Sequence, residues 1–408
     1  MIPQVKAKIK RIQLRSIPEG YKKTKVGVIP DMWRCYQIHE CLSICNHERK
    51  PISEDVRKTI PGPYPYYGPT QAQGYIATYE SEGPAVLIGE DGDHFLKYKD
   101  REMTMYVDGK YTVNNHAHVL RGTELCETKW FYYAYQHKSL FDAITRQGAG
   151  RYKLTKEVLI KLPLQCPPIE EQRKIISILN TQDKVIKLKE KRLAEKQRQK
   201  KYLMQQLLTG KKRLPGFSGA WKTDRLGKLF FERKETNCEN LEMLAITGTQ
   251  GIIPRKELEL KDNSSEDKSK YLRVCVGDIG YNTMRMWQGV SAYSNYEGIV
   301  SPAYTILKPS SSINAKYFAY LFKMPEIVFL FYRFSQGLVD DTRNLKYENF
   351  KKIGVCYPPD MKEQTAIAEV LSTADHEIDL LQQDIEQEKQ KKKALMRLLL
   401  AGIVRVKV

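Results

Sequence analysis

Two stretches of the chain repeat one pattern of apolar and polar positions. The first begins at Pro167-Pro168, the second at Pro358-Pro359, and in each an apolar residue returns at every seventh position. The first ladder is Leu179, Ile186, Leu193, Lys200 and Leu207; the second is Leu371, Ile378, Ile385, Lys392 and Leu399. A further ladder position is clean in the later copy, with Ile367, Ala374, Leu381 and Leu395, whereas the earlier copy has Ile175 and Leu203 with Gln182, Lys189 and Lys196 between them. A seven-residue apolar period marks a helix that buries one seam against another helix. Aligned at a shift of roughly 192, about sixteen of some forty-three positions are identical, among them Gln172/Gln364, Leu179/Leu371, Asp183/Asp375, Lys200/Lys392, Met204/Met396 and Gly210/Gly402. The chain is therefore an internal repeat of two halves.

Each copy predicts one long helix. The proline pair presets the backbone angle of the start, Glu170 and Glu171 sit where the helix dipole favours negative charge, and Gly210 and Gly402 supply the left-handed closing residue. About forty residues at 1.5 Å each make a rod of roughly 60 Å. A rod that long needs a partner for its apolar stripe. Antiparallel pairing of the two copies is the simplest reading; the alternative is two charged surface helices lying separately against two domains. Lys200 and Lys392 interrupt the ladders, and antiparallel pairing would bring them toward the rod ends, near water or partner subunits.

Between the helices the pattern changes period. Residues 20–166 open with GYKKTKVGVIPDMW, ending at Trp33, and the second region opens with GKKRLPGFSGAW, ending at Trp221; Ile38 and Leu226 follow five residues later. Both regions close with a Gln-Gly pair, then Leu154 or Leu345 thirteen residues before the prolines. The interiors differ, but both hold short Tyr-, Ile- and Val-rich runs broken by Gly, Pro and Asn, the mark of strands joined by turns. An aromatic helix-like segment follows in each, WFYYAYQHKSLFDAI and AKYFAYLFKMPEIVFLFYRF. The fold class is α+β: two mixed α/β domains joined by two long helices forming an antiparallel coiled coil, with internal pseudo-twofold repetition. The boundaries fall at 1–166, 167–210, 211–357 and 358–408.

Composition narrows the function. Of 408 residues, 41% are hydrophobic, enough for two or three cored domains. No run approaches the eighteen or so apolar residues of a membrane span, and the basic start MIPQVKAKIKRIQLR lacks the apolar core of a secretion signal, although its pattern also fits a short organellar address. A cytoplasmic protein without a membrane partner is expected. A net charge of +19 points to a polyanionic partner, whose binding weakens with salt as counterions are released. Part of that charge lies in QRQKK and QKQKKK, which also read as solvated helix faces.

Catalytic signals are thin. The proline pairs read Cys-Pro-Pro-Ile and Tyr-Pro-Pro-Asp, without the Asp/Asn/Ser-Pro-Pro-aromatic motif of amino-methyltransferases, and no phosphate loop or Gly-rich cofactor loop is present. Asp31 with Glu48 and Lys50 fits the loose spacing of a magnesium nuclease. Glu232-Arg233-Lys234 repeats part of that pattern without the Pro-Asp, which favours basic loops over a metal site. Cys35, Cys41, Cys45 and His47 lie close together but match no standard zinc spacing. On a strand His116 and His118 would share a face, and Asp91 and Asp93 read as turn formers. No catalytic, cofactor or metal residue is assigned.

Binding chemistry remains. Arg, Lys, Asn and Gln can read base edges, and aromatics stack or pack on sugars. The first domain offers Arg49, Lys50, Tyr66, Tyr67, Gln71, Gln73, Arg146 and Arg151 in or beside its loops. The second offers Arg233, Lys234, Asn282, Arg285, Trp287, Gln288 and Arg343.

With KKTKVGVIPDMW, QGYIATY, VLIGEDG, YTVNNHAHVL, GDIGYNTMRMWQGV, GIVSPAYTILKP and the two PP-x-x-EQ-like repeats, the second of them with one extra residue before Glu363, the whole chain resembles the specificity subunits of type I restriction-modification systems. The resemblance implies two target recognition domains, each reading one half of a bipartite DNA sequence, and a helical spacer that fixes the gap. It also implies double-stranded DNA, two adenine-N6 methyltransferase subunits and translocating endonuclease subunits as partners, with catalysis in those partners and no cofactor on this chain.

Overall fold

The computed structural model describes residues 3–14, 16–146, 151–248, 251–258 and 267–407. The Gln147-Gly148 pair of the first domain lies outside them. Both long helices are present, Ile169–Leu207 and Met361–Leu399, each 39 residues without an internal Gly or Pro, so nothing interrupts the backbone ladder. The first starts after Pro168, whose carbonyl accepts the Glu171 and Gln172 amides. The second starts later than its proline pair suggests. Asp360 takes over there, its carboxylate accepting the Lys362 amide and its carbonyl the Gln364 amide. Gly210 and Gly402 close the helices at φ +70° and +66°, the left-handed region that glycine enters without steric cost. At Gly402 a side chain is excluded twice over, since an added Cβ would lie 2.5 Å from Pro30.

The chain forms two compact units, residues 1–188 with 385–408, and residues 189–384. In the first unit the start of one long helix runs against the end of the other. Asp183 meets Lys392 at 2.7 Å, and Gln182 donates to the Glu388 carboxylate at 2.5 Å. In the second unit Lys189 meets Asp384 at 2.8 Å, Lys196 meets Glu377 at 2.6 Å, and Lys200 meets Asp375. From Gln165–Leu400 to Asp183–Lys392 in the first unit, and from Lys189–Asp384 to Lys200–Asp375 in the second, rising numbers on one copy face falling numbers on the other, so the pairing is antiparallel. Leu179, Ile186, Ile385 and Leu399 are buried in the first unit, as are Leu207, Leu371 and Ile378 in the second. That burial excludes the reading as two separate surface helices. The polar ladder positions Gln182, Lys189 and Lys196 are each answered by an acid on the facing helix, which pins the register as an apolar seam alone cannot.

Lys200 and Lys392 do not turn to water as the ladders suggested. Each is mostly buried against the Asp of the facing helix, and each Asp takes a second bond from the globular part of its unit. Tyr133 Oη donates to Asp183 and Tyr320 Oη to Asp375, both at 2.7 Å. The repeat reproduces two more joints. Gln172 accepts the Glu127 amide at 2.9 Å and donates to the carbonyls of Leu125 and Pro167; Gln364 accepts the Asn314 amide at 2.8 Å and donates to the Pro358 carbonyl. Glu171, fully buried, is neutralised by Arg405 at 2.5 and 2.8 Å and accepts from Trp33 Nε1 at 3.0 Å. Glu363 is held likewise by Arg213 at 2.5 and 2.7 Å, with Trp221 under the guanidinium.

The globular parts share their edges and differ inside. In the first unit Arg34–Gln37 pairs antiparallel with Pro163–Cys166; in the second Lys222–Arg225 pairs with Gly354–Tyr357. The first unit then builds an antiparallel sheet in the order Leu42–Ile44, Ala117–Gly122, Ala85–Gly89, Thr104–Val107. A second sheet follows the order Ala72–Ile76, Pro61–Tyr67, Lys110–Val113, Ser81–Glu82, with one parallel pairing. The second unit's main sheet is antiparallel, ordered Phe230–Arg233, Tyr304–Pro309, Ile279–Asn282, Ser291–Tyr293. The aromatic segments are helical, Thr128–Tyr135 in one unit and Ala315–Leu321 in the other. Pro325, which cannot continue a helix, starts a separate one, Pro325–Phe334.

Asp375→Ala strands Lys200 and Tyr320 together and is expected to lower stability by about 2 kcal/mol or more. Adding Lys200→Met to Asp375→Ala should recover much of that loss. Urea unfolding of the four proteins gives a double-mutant cycle, and a coupling energy near zero would contradict the role assigned to this pair.

Candidate nucleic-acid interface

In the first unit the hairpin of Pro61–Tyr67 and Ala72–Ile76 turns where the Gly68 amide bonds to the Gln71 carbonyl. Gln71 and Gln73 are exposed on it. The Gln73 side chain lies over Gly68, where a Cβ would approach it to 2.5 Å, and accepts from Asn114 at 3.3 Å. Gln73 also lines an open cleft of about 540 Å³ with Arg57, Lys58 and Tyr75. These three were not singled out in the sequence, although Tyr75 belongs to the same QGYIATY block. Tyr66 is only 1% exposed, its hydroxyl accepting the Ile52 amide and donating to the Lys50 carbonyl, with Arg57 over its ring. Tyr67 is half-buried, edge-on to Tyr111, and burial pushes its phenol up. Arg49 is committed to Glu90 at 2.7 Å and to the carbonyls of Asn46 and Asn115. Lys50 is exposed and pairs with Glu80 at 2.5 Å. Arg146 and Arg151 are both exposed, Arg146 with its guanidinium 5.6 Å from the Tyr152 ring.

In the second unit Arg233 is a core ion pair. Its side chain is 10% exposed, bonded to Asp278 at 2.7 and 3.1 Å and to Glu235, and the bonds to Asp278 hold its guanidinium charged well beyond its ordinary range. Lys234 is exposed, pairs with Glu232 at 3.0 Å, and lines an open cleft of about 590 Å³ with Thr283, Met284, Asn344 and Lys346. Asn282 accepts the Met284 amide at 2.9 Å and turns the chain into a short 3₁₀ segment, Met286–Gln288. Arg285 and Gln288 are exposed there. Trp287 is half-buried, donates to the Met284 carbonyl at 3.0 Å, and meets Tyr332 edge-on. Arg343 stacks on Tyr332 at 4.1 Å and bonds to Asp340 at 2.8 Å. With Phe329 stacked on Tyr332, these side chains form one aromatic and basic surface. Tyr332 and Phe329 were missed because their run reads as an apolar helix.

The enzyme and metal patterns of the sequence come apart. Glu48 is bonded to Arg121 at 2.8 Å and Lys50 to Glu80, while Asp31 sits in an exposed turn whose amide bonds to Gly20. His116 precedes the strand Ala117–Gly122, so the period-two rule fails for it. It is exposed and pairs with Asp91 at 2.7 Å, whereas His118 is fully buried, accepting from Asn46 at 2.9 Å and donating to the Leu154 carbonyl at 2.8 Å. Cys35, Cys41, Cys45 and His47 do not converge; Cys45 belongs to a different core cluster from Cys41.

Comparison with known proteins follows this geometry. A family model described as "Type I restriction modification DNA specificity domain" matches residues 30–198 and 227–390, one match in each half of the repeat. The chain is 34% identical over 143 residues, 35% of either chain, to a putative type I restriction enzyme specificity subunit of Haemophilus influenzae. It is 23% identical over 95% of its length, and 97% of the other's, to the putative type I restriction enzyme MjaX specificity subunit of Methanocaldococcus jannaschii. Among solved structures, the S subunit of a type I restriction-modification system from M. genitalium superposes with a TM-score of 0.61 at 14% identity, covering 90% of this chain and 96% of that one. That superposition shows the fold. Among the described residues no helix is long and apolar enough to cross a membrane.

Burial pushes His118 below its ordinary value, against the Leu154 carbonyl and Glu90, and pushes His94 down against Asp91 and Asp93. Both are neutral in the fold, so the unfolded chain binds more protons below about pH 6.5. Their contribution is complete above that pH and is lost as pH falls through the depressed folded values. The thermal midpoint should drop between pH 7 and 5, and His118→Gln should flatten that dependence. An unchanged pH slope in the variant would remove His118 from the account.

Proposed function

Since the chain belongs to the type I restriction modification DNA specificity family, whose members select the target while partner subunits carry out catalysis, we propose that each unit reads one half of a bipartite duplex sequence. The paired helices set the gap between the half-sites and dock two adenine-N6 methyltransferase subunits and the endonuclease subunits. One observation carries this reading: identical joints, Lys392–Asp183–Tyr133 and Lys200–Asp375–Tyr320, each hold a globular part whose loops differ from those of its counterpart. One scaffold presenting two surfaces is what a split target requires. The net charge of +19 supplies the sequence-independent attraction to phosphates. A helix of 39 residues spans about 58 Å at 1.5 Å per residue, against about 34 Å for one turn of duplex.

Base reading falls to exposed polar residues on the loops: Gln71, Gln73, Arg146 and Arg151 in the first unit, Arg285 and Gln288 in the second, with Lys50 and Lys234 on phosphates and Trp287 and Arg343 on the aromatic surface. Arg49, Tyr66, Tyr67, Arg233 and Asn282 support these loops from beneath.

Co-expression with the neighbouring methyltransferase gene, followed by mapping of methylated adenines, should return a split motif with a fixed non-specific gap. A continuous motif, or no methylation, would count against the proposal. Arg285→Ala with Gln288→Ala should relax one half of the motif and leave the other intact, since a good base contact is worth about 1–3 kcal/mol. Relaxation of both halves together would contradict independent reading.

A further inference from the structure

Three cysteines distant in sequence meet in the core of the first unit. Cys41 ends the short helix Ile38–Cys41, Cys126 lies in the turn before Thr128–Tyr135, and Cys166 ends the strand Pro163–Cys166. Their Sγ atoms all lie within 4.8 Å of one another, and all three residues are buried. Cys41 Sγ donates to the Gln37 carbonyl at 3.6 Å and to that of Ile38 at 3.8 Å, and Cys126 Sγ to that of Glu127 at 3.6 Å, weak bonds that deprotonation on metal binding would give up.

The second unit provides an internal control. Cys41 stands eight residues after Trp33, as Leu229 stands after Trp221, and Cys166 precedes its proline pair as Tyr357 does. Cys126 precedes Glu127, whose amide Gln172 holds, as Ile313 precedes Asn314, whose amide Gln364 holds. Leu229, Ile313 and Tyr357 are all buried in that unit's core. The scaffold therefore fills this locus in the second unit with Leu, Ile and a tyrosine ring, none of them a soft metal donor. Sulfur at all three positions, from three separate elements, adds a donor set that packing does not call for.

We propose that Cys41, Cys126 and Cys166 bind one thiophilic d¹⁰ cation, Zn²⁺ or Cu⁺, as a three-thiolate site that ties the first unit's core together. Metal–sulfur bonds of about 2.3 Å in a trigonal site place the sulfurs about 4 Å apart, a spacing the cluster already accommodates. A donor set of sulfur alone selects these ions over the hard cations Mg²⁺ and Ca²⁺. Binding forms three metal–sulfur bonds and releases three thiol protons to solvent, with no change of oxidation state. The site forms only when the three elements come together, so the ion is taken up with folding and its binding energy adds to the stability of the folded unit.

The test uses the full-length chain purified under reducing conditions, loaded separately with Zn²⁺ and with Cu⁺, desalted, and assayed by elemental mass spectrometry. About one ion per chain is expected in at least one arm, and the arm that survives a competing chelator identifies the native ion. Co²⁺ loading should give thiolate-to-metal charge-transfer absorption. The variant Cys41→Leu, Cys126→Ile, Cys166→Ala, which borrows two residues from the second unit, should fold and lose the ion; Cys356→Ser should keep it. No retained metal in either arm, metal retained by the triple variant, or a disulfide within the cluster would overturn the proposal. If the triple variant fails to fold, the Co²⁺ spectrum of the native chain decides for Zn²⁺ and the ultraviolet thiolate-to-metal absorption of the Cu⁺-loaded chain for Cu⁺, and absence of both bands rules the site out.

Discussion

A lysine set in the apolar seam of a helix pair must find an acceptor, and in this protein that need organises each unit. Lys392 finds Asp183 and Lys200 finds Asp375 on the facing helix. A carboxylate has capacity for more than one donor, and in each case a tyrosine hydroxyl from the globular part takes the remaining capacity. Burial, together with the bond to Asp, pushes the Tyr133 and Tyr320 phenols well up, so neither ionises in any ordinary range. Three groups that would be costly alone become mutually satisfied, and helix register and domain docking are fixed by one contact. Shifting either helix by a residue would break both at once.

The same economy governs the helix starts. Glu171 and Glu363 are fully buried carboxylates near a helix N-terminus, where the dipole favours them. That alone would not offset their desolvation. Each is neutralised by an arginine from the segment following the other copy's long helix, Arg405 for Glu171 and Arg213 for Glu363. The two arginines are aligned positions of the repeat. Each unit is thus assembled from pieces distant in the chain, and the repeat is reciprocal: what one copy contributes at its start, the other completes at its end.

Much of this was legible in the sequence, and the reasons for what was not are physical. The heptads gave the helices and their antiparallel pairing, because a 39-residue amphipathic period has few alternatives. The repeat also contained the joints, since Asp183/Asp375 and Lys200/Lys392 stood out as identities. Their partners Tyr133 and Tyr320 did not, because in an aromatic run nothing in the local pattern distinguishes a core ring from one with a bonded hydroxyl. The thiol cluster was hidden for a different reason: its members lie 85 and 40 positions apart, and proximity in sequence drew attention to Cys35 and Cys45 instead. His116 was misplaced by one residue of strand boundary: it lies in the turn before Ala117–Gly122, where the alternation of faces does not apply.

Residue type alone also could not divide exposed basic residues from those held in ion pairs. Arg49 follows a 3₁₀ turn and Arg233 ends the strand Phe230–Arg233, beside the loops proposed for DNA contacts, and both are held by carboxylates. Releasing Arg233 to a phosphate would leave Asp278, 2% exposed, as an uncompensated charge, a loss of about 3–5 kcal/mol. A single base or phosphate contact returns about 1–3 kcal/mol at best. The exchange is unfavourable, so these arginines stay in place. An ion pair beneath each loop, partly buried at Arg49–Glu90 and buried at Arg233–Asp278, therefore holds the loop in shape whatever side chains stand exposed on it.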